Sequence, residues 1–252
     1  MDAGIIMVVL AVVAVFGLVL YVQHAHRKRM EDGLARLLAR EPGLMPTATP
    51  IGLSAAQFAD TFVGCPRGDR RNGVRWGVEG PLATEFEQQP VTLRCAAFEW
   101  WWEERREHRD ANGSTTTTYA TRRTMVTATQ LPRVVPDHVR IGPESVLGRL
   151  GLTRGDHQLE SDAFNRRFRV VARDRMLTVQ LLDAGLQELL LTAFQGRTIE
   201  LSGDLLVLAG DPSDRDDTLP GCIGRLPTVR QDTARLLQGV PAQFWRALDR
   251  QA

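Results

Sequence analysis

Between Val91 and Leu131 the sequence alternates apolar and polar residues, loses the pattern, and then regains it, and no other stretch narrows the fold as much. Val91, Leu93, Cys95 and Ala97 share one parity, after which Phe98, Trp100 and Trp102 take the other. Such a phase shift within a strand predicts a β-bulge near Ala96-Ala97. Asp110-Ala111-Asn112-Gly113-Ser114 follows, and Asn-Gly is the strongest short-range hairpin signal because both residues tolerate positive φ. The return strand, Thr115 to Gln130, is rich in threonine, which suits a pleated backbone. Centring the hairpin on Asn112-Gly113 sets Trp102 opposite Arg123, Glu103 opposite Arg122 and Trp100 opposite Met125. All three pairings are chemically favourable.

Shorter signals surround this hairpin. Ser54 reads as the N-cap of a helix from Ala55 to Phe62, ended by Gly64 and Pro66. Val74 to Val78 alternates like a strand, which Gly80-Pro81 should close. Val139 to Ile141 reads as a further strand. Gln158 to Glu160 leads into a helical turn over Ser161 to Asn165, and alternation resumes from Phe168 to Ala172. Dense leucines from Met176 to Phe194 predict one buried helix, kinked at Gly185. Thr198 to Leu201 and Leu205 to Leu208 read as a hairpin closed by Ser202-Gly203-Asp204. Thr228 to Arg250 reads as two helices, with Gly239 capping the first and Pro241 opening the second. Strands and helices are intermixed, so the expected class is α+β, with an antiparallel sheet, a long Trp-rich hairpin and C-terminal helices.

At the N-terminus, Gly4 to Val22 is a run of nineteen residues without charge or proline. At about 1.5 Å per residue it measures about 28 Å, close to the thickness of a bilayer's hydrocarbon core. This predicts a transmembrane helix. A cleaved signal peptide would start with basic residues and end in small ones, whereas here Met1-Asp2 precedes the run and Arg27, Lys28 and Arg29 follow it. By the positive-inside rule, that cluster sits at the cytoplasmic membrane surface. The expected organisation of this single-pass cell-membrane protein is an extracytoplasmic N-terminus (1–3), a transmembrane helix (4–22) and two further parts. These are a basic juxtamembrane segment with a linker stiffened by Pro42, Pro46 and Pro50 (23–53), and a cytoplasmic α+β domain (54–252).

The chemistry-bearing residues do not form a familiar constellation. With a net charge of +1, no global field recruits nucleic acid. Cys65, Cys95 and Cys222 form no CxxC pair and have no histidine at zinc-ligand spacing, so no metal or other cofactor is expected. The chain lacks G-x-S-x-G, P-loop, G-x-G-x-x-G and H-E-x-x-H sequences. Two groups stand out as partner-binding candidates. Trp100, Trp101 and Trp102 put aromatic rings on both faces of one strand, where sheet packing is the competing use. Arg167 and Arg169 project outward from a strand whose Phe168, Val170 and Ala172 point inward, which also describes an ordinary solvated face.

Gly64-Cys65-Pro66, Asn72-Gly73-Val74, the aromatic hairpin, Leu131-Pro132 and the run Leu159-Glu160-Ser161-Asp162-Ala163-Phe164-Asn165-Arg166-Arg167-Phe168 occur in that order. This succession resembles bacterial, mainly actinobacterial, membrane-anchored proteins in or near domain-of-unknown-function family 3137. The resemblance covers roughly residues 55 to 250, and the segment around Phe164-Asn165 is its most specific part. Cys65-Pro66-Arg67 and Trp100-Trp101 depart from the pattern. The resemblance implies membrane attachment and domain limits, and no activity.

Two functions follow as expectations. The first is a membrane-tethered, non-catalytic cytoplasmic domain with the lipid bilayer on one side and a protein or lipid partner on the other. The second is a membrane-associated hydrolase with a site assembled from Asp162, His138 or His157. A deep pocket bringing two of these within hydrogen-bond reach favours the enzyme, and a shallow surface favours the binder.

Overall fold

The computed structural model describes residues 3–87, 89–110, 113–144, 159–210 and 220–250. It falls into two compact units. One consists of Met1–Pro42 with Asp216–Gly224, and the other of Gly43–Arg215 with Arg225–Ala252.

The smaller unit is dominated by one helix, α1, which runs without a break over Ala3–Arg40. Among the described residues no helix is long and apolar enough to cross a membrane, so the transmembrane helix expected over 4–22, and with it the single-pass membrane assignment, is not supported. The apolar run is one half of a 38-residue helix. Its other half carries Arg27, Lys28, Arg29, Glu31, Asp32, Arg36 and Arg40. On that half Met30 and Leu37 are buried. Arg27 pairs with Glu31 one turn on, 2.9 Å away, as i,i+4 charges on a helix surface do.

The larger unit is an α+β domain built on a six-stranded antiparallel sheet. Its strands are β1 (Met45–Thr47), β2 (Asn72–Phe86), β3 (Gln89–Arg109), β4 (Thr115–Pro143), β5 (Phe168–Val171) and β6 (Thr198–Ala209). The path runs β1-β2-β3-β4-β5, and β6 also pairs with β4. Met45–Thr47 lies in the segment read as an extended linker and forms an edge strand opposite Gly77–Glu79. The helices are α2 (Ala55–Thr61), the one-turn α3 (Asp162–Asn165), α4 (Arg175–Leu181), α5 (Ala184–Ala193), α6 (Pro220–Gly239, of which Arg225–Gly239 belong to this unit) and α7 (Ala242–Asp249).

Two hydrophobic cores line opposite faces of this sheet. Phe98, Trp100, Val126, Ala128 and Val207 pack with Phe58 of α2 and with Phe62 at its C-terminal end. Leu93, Cys95, Leu206 and Leu208 pack with Leu177, Leu186, Leu236, Phe244 and Trp245 of the later helices. The apolar phase shift in β3 follows from this, because the strand is buried on both faces from Cys95 to Trp100. The bulge expected at Ala96-Ala97 instead lies in β2, between Arg75 and Val78, where Trp76 adopts φ 51°. Gly80-Pro81 does not close β2; Pro81 stays in the strand opposite Arg94. Its carbonyl accepts a hydrogen bond from Arg230 Nη2, while Arg230 Nη1 donates to Cys95 O at 2.7 Å.

The hairpin register differs from expectation by one residue: Trp102 faces Arg122, Glu103 faces Thr121 and Trp100 faces Thr124. Gly113, at φ 81°, is the left-handed residue of a longer loop closed by Asp110 N–H donating to Ser114 O at 3.0 Å. A one-residue slip turns every β4 side chain to the other face. The observed register puts Val126 and Ala128 beneath α2 beside Phe98 and Trp100.

Two other elements are divided differently from the sequence pattern. The expected single helix from Met176 to Phe194 is two helices, because Asp183 caps a new one by accepting from Leu186 N–H at 2.8 Å, just before Gly185. The expected hairpin at Ser202-Gly203-Asp204 is continuous strand, since Gly203 at φ 58° sits at an irregularity of the β4–β6 ladder opposite Val135. The Ser54 cap is as expected. Ser54 forms a capping box with Gln57, and Ser161 caps α3. Pro241 precedes α7.

Candidate functional site

Two surfaces of the larger unit carry features that packing alone does not require. The first is the outer part of the β3–β4 hairpin. β2 pairs with β3 only as far as Trp102, and β6 pairs with β4 only from Val126 onward. The β3–β4 ladder continues to Arg109 and Thr115. A two-stranded ribbon therefore projects past the sheet. On its β3 side Asp69 N–H donates to Glu103 O, and Arg105 N–H donates to Asp69 Oδ2 at 2.6 Å, which closes the edge nearest the sheet. On its β4 side no strand pairs with Thr115–Ala120 among the described residues.

Because Asp110 and Ser114 share a hydrogen bond, the bonded pairs fall at His108/Thr116 and Arg106/Thr118. The backbone groups of Thr115, Thr117 and Tyr119 therefore point away from β3. The segment Thr-Thr-Thr-Thr-Tyr-Ala contains neither charge nor proline.

The tryptophan triplet lies at the base of this ribbon. Trp100 is buried under α2, and its Nε1 donates to Pro66 O at 3.0 Å. Trp102 is buried as well, with Nε1 donating to Glu104 Oε1 at 3.3 Å. Trp101 points to the other face and is half-buried, with the Arg75 guanidinium 4.2 Å above its ring.

The second surface lies where the β4–β6 ladder is broken. Pro132 and Pro136 cannot donate to β6, and the register shifts between Gln130 and Val135 and again before Val139. The opening is a shallow groove of about 620 Å³ lined by Val63, Pro136, His138, Arg140, Arg173 and Ser202, among others. Beneath it Glu200 is fully buried. Its Oε1 accepts from Gly64 N–H at 2.6 Å, and its Oε2 accepts from Val63 N–H at 3.1 Å and lies 2.9 Å from His138 Nε2. The carboxylate thereby fastens the turn after α2 onto β6, and a buried charge so bonded is a satisfied one. Glu200 carried no motif signal; only its burial in an alternating strand sets it apart.

Cys65 adjoins this carboxylate. Burial pushes its thiol well above the ordinary value, and the charge of Glu200 adds to that. Cys95 is raised chiefly by burial, with Arg230 opposing. Both are therefore protonated and inert at neutral pH. The Cys222 side chain lies outside the described residues.

Of the hydrolase candidates, His138 meets Glu200, Asp162 is exposed in the first turn of α3, and His157 lies outside the described residues. No group of three or more His, Cys, Asp or Glu arranged to hold a metal occurs among the described residues. Arg167 is exposed and donates from Nη1 to Gln195 Oε1, while Arg169 is half-buried on β5 opposite Gly142. Phe164 and Phe168, on the same segment, are buried and stacked, with ring centroids 5.0 Å apart. Asn165 brackets the Leu159 backbone, accepting its N–H at 3.0 Å and donating to its carbonyl at 2.6 Å.

No protein-family model matches the chain, so membership of domain-of-unknown-function family 3137 is not shown. No curated protein sequence matches it either. Among solved structures it is weakly similar to the crystal structure of the mycobacterial trehalose monomycolate transport factor A, TtfA. That similarity has a TM-score of 0.43 and 9% identity over 85% of this chain and 95% of that one, too slight to transfer a function.

Proposed function

We propose that this chain is a non-catalytic domain that binds a protein partner through the β3–β4 ribbon. The observation behind this reading is the free edge from Thr115 to Ala120. Native sheets blunt their edges with charge, proline, bulges or a covering segment, and this one has neither charge nor proline. Its β-branched residues hold it extended before any partner arrives, so little ordering entropy opposes pairing with a partner strand. Strand addition of this kind draws its affinity from main-chain hydrogen bonds, here those of Thr115, Thr117 and Tyr119. The hydrolase reading finds little support, because the acid–base pair brought together, Glu200 with His138, is held by two backbone amides over an open groove.

Thr117→Pro removes an outward-facing N–H and leaves the bonded ladder to β3 in place. Proximity labelling of the full chain in its native cell, repeated with this variant, tests the reading. A labelled partner that disappears while the melting temperature is unchanged is the expected result. A labelling pattern identical for the two proteins overturns the ribbon as the contact.

A further inference from the structure

We propose that the groove over Glu200 binds the oxyanion of a small organic ligand, a phosphate or carboxylate, between Arg140 and Arg173. Four observations converge on this. First, the acids at the groove are already engaged: Asp137 lines it, but backbone amides hold its carboxylate. Asp137 Oδ1 accepts from His138 N–H at 2.8 Å, and its Oδ2 accepts from Arg173 N–H at 2.6 Å and Asp174 N–H at 2.8 Å. Glu200 is engaged by Val63, Gly64 and His138 as described.

Second, the cations of the same groove are not engaged in this way. Arg140 and Arg173 both line the groove, and neither side chain forms an ion pair or hydrogen bond among the described residues. Third, Arg140 stands directly opposite Glu200 in the β4–β6 ladder and so shares a sheet face with it. The carboxylate is nevertheless saturated by the loop amides and His138, which leaves the guanidinium fork of Arg140 free to accept another oxyanion. Fourth, the broken ladder at Pro136 makes room for more than an ion: the opening is about 620 Å³, within the range of small-molecule sites, with Val63, Val171 and Ala172 offering apolar contact to the ligand's organic part. Two arginines meeting one planar or tetrahedral oxyanion give the strong, charge-assisted, bidentate contacts for which guanidinium is suited.

Binding by the full chain is measured by titration calorimetry at low salt with glycerol 3-phosphate and with succinate, and by co-sedimentation with phosphatidylglycerol vesicles. Phosphatidylcholine vesicles are the comparison. Saturable binding to at least one probe is expected, weakened tenfold or more in both Arg140→Gln and Arg173→Gln and weakened less in Arg173→Lys. A soluble probe that binds identifies a free metabolite as the source of the oxyanion. Sedimentation with phosphatidylglycerol alone, lost in the same variants, identifies a lipid headgroup. Arg173 is exposed, so Arg173→Gln decides the matter if Arg140→Gln fails to fold. No binding to any probe, or binding that both glutamine variants retain at full strength, overturns the proposal. Because Thr117 lies on the ribbon rather than in the groove, Thr117→Pro leaves these titrations unchanged, and the two proposals stand or fall separately.

Discussion

At the scale of single residues, similar-looking positions do different work. Phe164 and Phe168 stack in the core, whereas Arg167 between them is exposed. Phe164→Ala or Phe168→Ala should cost about 3–5 kcal/mol in denaturant unfolding, and Arg167→Ala should stay within about 0.5 kcal/mol. Folded phenylalanine variants would make that segment a surface rather than a core. The thiols give a second test. Cys65 and Cys95 titrate higher when folded than when unfolded, so above the unfolded thiol range, about pH 8.5, the unfolded chain sheds protons that the folded chain keeps. Fewer bound protons in the unfolded state mean that stability falls as pH rises through that range. Denaturant midpoints for the wild type and for a Cys65→Ala, Cys95→Ala variant, compared between pH 8 and pH 10, should show the steeper decline in the wild type. Equal slopes would show that these thiols do not couple to folding.

At the scale of elements, close approach of backbones decides what joins the sheet. A Cβ on Gly77 would lie 2.5 Å from Thr47 O, and one on Gly80 would lie 2.5 Å from Gly43 O. These glycines are what let β1 dock on β2. Gly77→Ala should cost about 1–3 kcal/mol and raise hydrogen exchange in 45–47, with the β3–β4 amides still protected. Unchanged protection in β1 would mean that the strand shifts to accommodate a side chain. At the other end of β2, Arg133 forms ion pairs with Glu87 at 2.6 Å and with Asp249 of α7 at 2.9 Å, linking the β2–β3 turn to the last helix.

At the scale of the larger unit, one sheet separates two cores. Phe58 of α2 belongs to one and Leu186 of α5 to the other. Phe58→Ala should cost about 3–5 kcal/mol and Leu186→Ala about 2–5 kcal/mol. Since the two side chains share no partners, the double variant should equal their sum within about 0.5 kcal/mol. Unfolding followed by tryptophan fluorescence and by far-ultraviolet circular dichroism should give coincident curves, because β3 and β4 contribute to both cores. Separate transitions would show that the faces unfold independently.

What the sequence determined by itself were the features fixed by neighbouring residues: the Ser54 cap, the proline before α7, the one-turn α3 and the long antiparallel hairpin. Each depends on a few positions close together in the chain, where local hydrogen bonding and hydrophobic period decide the outcome. The tertiary structure decided matters of register, face and partner. The β3–β4 register followed from which residues α2 covers, and the misleading phase shift in β3 came from burial on two faces. The groove was equally illegible, because His138, Glu200, Val63 and Arg173 come from four separate segments. A pairing pattern across a sheet, and the broken ladder that brings such residues together, are properties of contacts distant in sequence, for which a single chain carries no local signal.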